Sequence, residues 1–116
     1  MDNDRNLNII KSIVKHCKNI FLAQKRFGND IKVFARDMDY FNSVCMSLLQ
    51  VGELANRLTA DFKISHKNIP WHQIIGLRNI VVHRYGQIDT DIVWATLEKD
   101  IPVLYKYCRG LAKKKK

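Results

Sequence analysis

The sequence predicts an all-α fold, an antiparallel bundle of four main helices plus one short helix. Two observations carry that expectation. Apolar residues recur at threes and fours through most of the chain, and 116 residues hold only five Gly and two Pro, too few turn formers for a strand-rich fold. At 47% apolar and 27% charged, the composition is that of a globular chain rather than a disordered or disulfide-stapled one. The length suits a single core. Residues 1–112 are therefore read as one domain, and the run Lys113 to Lys116 as a basic tail expected to be disordered.

The first helix is expected from Asp4 to Phe27, where Leu7, Ile10, Val14, Cys17, Phe21 and Phe27 form an apolar stripe and Lys11, Lys15, Lys18 and Lys25 a basic outer face. Asn3 or Asp4 caps its start and Gly28-Asn29 supplies left-handed residues to end it. Asp30 caps a short helix through Ile31, Phe34 and Ala35. A second long helix is expected from Asp39 to Ala60 on a seam of Phe41, Val44, Leu48, Val51, Ala55 and Leu58. Gly52 inside it costs up to about 1 kcal/mol of helix propensity, which points to a neighbour that must come close. Asp61 to Pro70 breaks the periodicity and reads as a polar connector. Pro70 starts a helix that runs to about His83, with Gly86 as its stop. Asp89 or Thr90 caps the last helix, whose periodic residues are Ile92, Val93, Leu97, Leu104 and Cys108 and which Pro102 either kinks or divides.

Charge and cysteine content narrow the function. Twenty Lys and Arg against eleven Asp and Glu give a net +9, a surplus that suits a phosphate-bearing partner, although four of those charges sit in the terminal run. Cys17, Cys45 and Cys108 are odd in number and form no C-x-x-C pair, so neither a disulfide framework nor a cysteine zinc site is indicated. The opening MDNDRNLN lacks the basic-then-apolar pattern of a signal peptide, and no apolar run approaches the roughly 20 residues of a membrane span. A cytoplasmic protein without membrane attachment is the expectation.

The stretch Arg78-Asn79-Ile80-Val81-Val82-His83-Arg84-Tyr85-Gly86 crowds hydrogen-bonding and titratable groups beside an apolar run. On a helix Asn79 and His83 are i and i+4 neighbours, while Arg78 lies about 140° from His83, so the two flank a cleft rather than share a face. An Arg near a His suits phosphodiester chemistry: the guanidinium neutralises charge building on phosphorus and the imidazole moves a proton near neutral pH. The alternative reading of the same residues is a surface ion pair at Arg78, a helix-end cap at His83 and a packing role for Tyr85. The residues alone leave both open.

The run RNIVVHRYG has the form R-x4-H-x-Y and resembles the signature of HEPN domains, in particular the HepT toxins of toxin–antitoxin pairs. SLLQVGELANRL, IPWHQIIGLRN and VWATLEKDIPVL resemble that family's pattern in the same order, over roughly residues 40 to 105. The resemblance implies a metal-independent ribonuclease acting as a homodimer, with no cofactor and with the two motifs facing one another across a composite cleft. By position, Arg78 would stabilise the pentacoordinate phosphate, His83 would act as general acid or base, and Asn79 would orient the imidazole or bind phosphate. Tyr85 matches the tyrosine to which a cognate nucleotidyltransferase antitoxin of the MNT type adds AMP, silencing the toxin. Arg84, between His and Tyr, departs from the pattern and adds a positive charge.

Glu53 carries two readings: an exposed i, i+4 pair with Arg57, or a carboxylate that orients Arg78 from the facing helix. Trp71 and Trp94, among aliphatic residues, read as core or dimer anchors rather than base-stacking platforms. His16, His66 and His72 show no metal-ligand spacing on one helix. No Gly-rich phosphate loop is present, so the chain is not expected to be a nucleotidyltransferase itself. Against the RNA-cleaving toxin stand two rivals, a silent HEPN module that binds nucleotide or presents substrate to a nucleotidyltransferase, and a structural helical adaptor with basic faces.

Overall fold

The computed structural model describes the backbone of residues 2–83 and 90–114, and all of their side chains except those of residues 2, 80–83 and 114. Among the described residues every regular element is helical: α1 (Asp2–Phe27), α2 (Ile31–Arg36), α3 (Met38–Arg57), α4 (Ala60–Ser65), α5 (Trp71–His83), α6 (Thr90–Ala95), a π-helical segment (Thr96–Asp100) and α7 (Ile101–Lys114). The last three follow one another without a break, so the bundle has four main helical rods, as the sequence predicts. None of the helices among the described residues is long and apolar enough to cross a membrane.

Local chemistry explains most boundaries. Gly28, at φ +112°, takes the left-handed turn that stops α1, and its N–H closes on the Gln24 carbonyl at 2.9 Å. Asp30 and Asp37 cap α2 and α3, their carboxylates accepting from the Lys32 and Tyr40 N–H groups at 2.8 and 3.1 Å. Pro70 stands immediately before α5, and its carbonyl accepts from the N–H groups of Gln73 and Ile74.

Two expectations are corrected. The second long helix stops at Arg57 rather than Ala60, and the connector contains the helix α4. The cause is Thr59: its hydroxyl accepts from the Phe62 N–H at 3.2 Å, starting α4, and its own N–H donates to Asn6 Oδ1 at 3.1 Å. Asn6 Nδ2 in turn donates to the Thr59 hydroxyl at 3.0 Å. Pro102 does not divide the last rod. A proline clashes with the carbonyl four residues back, and the π turn just before it opens the ladder there, with the Ile101 N–H reaching back to Thr96.

α3 is the central helix, packed between α1 and α5, while α1 also packs on α7. Asn6 meets Thr59 and Phe27 stacks on Tyr40 at 5.0 Å, so α1 and α3 run antiparallel. The core is built from Ile10, Ile13, Cys17 and Ile20 of α1, Val44, Leu48, Val51 and Ala55 of α3, Ile74 and Leu77 of α5, and Leu97, Ile101, Leu104 and Cys108 of the last rod. Phe34, Tyr40 and Trp94 close one end, with ring centroids 4.9 Å apart for Phe34–Tyr40 and 5.3 Å for Phe34–Trp94. Ile92, expected in the apolar stripe, is 53% exposed.

Candidate functional site

The contact that positions Arg78 begins with a missing side chain. A Cβ on Gly52 would lie 2.8 Å from the Arg78 backbone nitrogen, 3.1 Å from Arg78 Cβ and 3.2 Å from the Ile75 carbonyl oxygen. Two of those three atoms are backbone, so the neighbour cannot swing away. Gly52 is therefore what lets α5 lie so close on α3, the role its unfavourable helix propensity implies.

The next residue on α3 uses that proximity. Glu53 Oε1 accepts from Arg78 Nη1 at 3.1 Å. Of the two readings of Glu53, the facing-helix pair is the one formed, and among the described residues Glu53 makes no ion pair with Arg57. With 32% of the Arg78 side chain and 43% of the Glu53 side chain exposed, the bridge adds at most about 1 kcal/mol of stability. Its effect is geometric: one carboxylate oxygen fixes a guanidinium that solvent and ligand can still reach. Arg78 Nε, by contrast, is buried and has no hydrogen-bond partner among the described residues.

Asn79 follows Arg78 on α5 and is exposed. The α5 backbone is helical through His83, so the i, i+4 relation of Asn79 and His83 holds in the backbone. The His83 side chain, Arg84, Tyr85 and Gly86 lie outside the described residues, and with them the geometry expected of the R-x4-H-x-Y motif.

Trp71, His66 and the three cysteines have structural employment. Trp71 is buried and its Nε1–H donates to the His66 carbonyl at 2.9 Å. His66 stacks on Phe62 at 4.1 Å, and its Nδ1 donates to the Phe62 carbonyl. Burial pushes the thiols of Cys17 and Cys108 up to about 12 and that of Cys45 up to about 11, so all three stay protonated and unreactive at neutral pH. One feature escapes the sequence reading: an open groove of about 420 Å³ between α1 and α3, lined among others by His16, Asn19, Arg26, Ser43, Met46 and Ser47. Spacing along either helix shows only half of its wall.

Comparison with known proteins identifies the family. The model of a family described as ribonuclease HepT-like matches residues 5–111. A protein named as a candidate RNase in Caldanaerobacter subterraneus subsp. tengcongensis is 29% identical over 92% of this chain and 94% of its own length. Another so named, in Methanocaldococcus jannaschii, is 32% identical over 68% of this chain and 81% of its own. A protein named probable ribonuclease HepT in Thermococcus cleftensis is 29% identical over 64% and 76%. No solved structure matches significantly. The family match takes in Gly52, Glu53, Arg78 and nearly every helix that packs around them, and the chain belongs to the ribonuclease HepT-like family.

Proposed function

We propose that this protein is the RNA-cleaving toxin of a toxin–antitoxin pair, an endoribonuclease that needs no metal ion and no cofactor. The observation that carries the reading is the close seat of Arg78 on Gly52 and its tether to Glu53, in a chain of the ribonuclease HepT-like family. A guanidinium held in place before substrate arrives stabilises charge on phosphorus without reorganising during the reaction. In the proposed step the RNA 2′-oxygen attacks the adjacent phosphorus while a His83 imidazole takes its proton. The bond from phosphorus to the 5′-oxygen breaks, and that oxygen receives a proton from a second imidazole. The products are a 2′,3′-cyclic phosphate and a 5′-hydroxyl. Two imidazoles are supplied if two copies of the chain set their motifs across one cleft, and Asn79 orients imidazole or holds phosphate.

Silencing follows from the same constellation. The Tyr85 hydroxyl oxygen attacks the α-phosphorus of ATP on an MNT-type nucleotidyltransferase antitoxin, pyrophosphate leaves, and the phenolic proton passes to solvent. The added AMP sets an anion beside Arg78 and Arg84, where RNA phosphate must bind.

Cleavage of RNA by the isolated protein in excess EDTA tests the reading. Activity is expected to persist there and to fall by about 10²–10³-fold in Arg78→Ala, the scale of losing one oxyanion donor, and at least as far in His83→Ala. Either variant cleaving at the wild-type rate with an unchanged far-ultraviolet circular dichroism spectrum overturns the assignment. Tyr85→Phe is expected to cleave RNA yet carry no AMP in intact-mass measurement after co-expression with the nucleotidyltransferase.

A further inference from the structure

The outer face of α1 carries a row of charge that the proposed chemistry does not use. At 100° per residue, Lys11, Lys15, Lys18, Leu22 and Lys25 fall within an arc of about 80°, opposite the buried Ile13, Cys17 and Ile20. All five are exposed, Leu22 by 62%. Lys11–Lys15 and Lys15–Lys18 are like-charge neighbours at i+4 and i+3, an arrangement that weakens a helix unless something anionic lies across it. Nothing among the described residues supplies the anion. α1 has no carboxylate beyond Asp4, α7 on its flank has none, and among the described residues no carboxylate pairs with any of the four lysines.

The row is also placed with respect to the site. Counting along the antiparallel pair from Asn6–Thr59 and from Phe27–Tyr40 sets Glu53 level with the turn between Ser12 and Val14, between the first two lysines. The groove beside the row is lined by Asn19, Leu22 and Arg26 from α1 and by Ser43, Met46 and Ser47 from α3. Met46, Gln50 and Glu53 share one face of α3 at i, i+4 and i+7, so the groove and the Glu53–Arg78 pair open onto the same side of that helix.

We propose that the α1 lysine row and the groove beside it form a track for the backbone of single-stranded RNA, leading it toward Arg78. The track rests on the ribonuclease reading for its direction. From Lys11 to Lys25 it runs about 21 Å, enough for several phosphates. The exposed Leu22 and Met46 (57%) offer apolar contact to unpaired bases, which a duplex would keep stacked inside.

The test is fluorescence anisotropy with a fluorescein-labelled 20-nucleotide 2′-O-methyl oligouridine, which lacks the attacking hydroxyl and reports binding apart from cleavage. In the combined Lys11→Gln, Lys15→Gln, Lys18→Gln, Lys25→Gln variant, affinity is expected to fall at least about 10-fold. The slope of log K against log[salt] should flatten by about 3, at about 0.7 per lost phosphate contact. Arginine at the same four positions is expected to retain both. A control with Lys32, Lys63, Lys67 and Lys99 changed to Gln removes equal charge elsewhere and is expected to lose less than about 3-fold. Equal loss in the control, or none in the stripe variant, overturns the track. So does stripe-dependent binding to phosphatidylserine vesicles without any effect on RNA. If wild-type protein cleaves no RNA while the anisotropy results hold, the ribonuclease reading fails and the track stands.

Discussion

A single hydrogen atom in place of a methyl group decides how Arg78 is held. Gly52→Ala gains up to about 1 kcal/mol of helix propensity, but its Cβ meets the Arg78 nitrogen at 2.8 Å and the Ile75 carbonyl at 3.2 Å, and such overpacking costs about 1–3 kcal/mol. The packing term is the larger. The variant is expected to lose about 1–2 kcal/mol in urea unfolding and, with α5 pushed off α3, most of its RNA cleavage. Gly110→Ala is the contrasting case: a Cβ there meets nothing within 4 Å, so it should stabilise the helix by about 0.5–1 kcal/mol. Equal effects from the two substitutions would refute the close-approach role of Gly52.

Among the elements, α4 exists because of one tie between distant parts of the chain. Thr59 caps it and exchanges two hydrogen bonds with Asn6, which is 3% exposed near the start of α1. Thr59→Val keeps the shape but removes the cap acceptor and strands the Asn6 amide in the interior. The expected cost is about 2–3 kcal/mol, about 1 from the cap and the rest from the unpaired donor. Thr59→Ser should lose much less. Since α4 contributes nothing to the Glu53–Arg78 contact, cleavage by folded Thr59→Val should stay near wild type. A matching loss of activity and stability would show that the tie also shapes the site.

Across the whole molecule, the buried thiols set an alkaline limit. Their folded values of about 12, 11 and 12 stand above the ordinary 9.0, so above pH 9 the unfolded chain releases protons that the native state retains. The stabilisation is therefore complete below pH 9 and is lost as pH rises toward 11 and 12. Urea midpoints are expected to drop progressively between pH 9 and 11, and less steeply in Cys45→Ala than in wild type. Thiol reagent at pH 8 should label the native protein slowly and all three cysteines after unfolding. Association belongs to the same scale. A composite cleft requires two chains, and sedimentation at micromolar concentration should give about 27 kDa, twice the 13.6 kDa of one chain. A monomer that still cleaves RNA would remove the second imidazole from the mechanism.

Helical period, the Gly28 stop, the Asp30 cap and the start of α5 were legible residue by residue, because each depends on backbone preferences and side chains within one turn. The closeness of Arg78, Asn79 and His83 is legible along the sequence alone, and the His83 side chain lies outside the described residues. What faces what was not legible. α1 is apolar over so wide an arc that Leu7, Val14 and Phe21 read as well as Ile9, Ile13 and Ile20, and only the packing of α3 and α7 chose the second set for full burial. Glu53 had Arg57 within reach on its own helix and was drawn instead to Arg78, because Gly52 brings α5 closer than any spacing along α3 reveals. The helix α4 depends on Asn6, 53 residues away from its cap. Short-range chemistry determined which segments are helical. Only the meeting of helix faces, a choice among chemically similar surfaces, decided the core and the partner of Arg78.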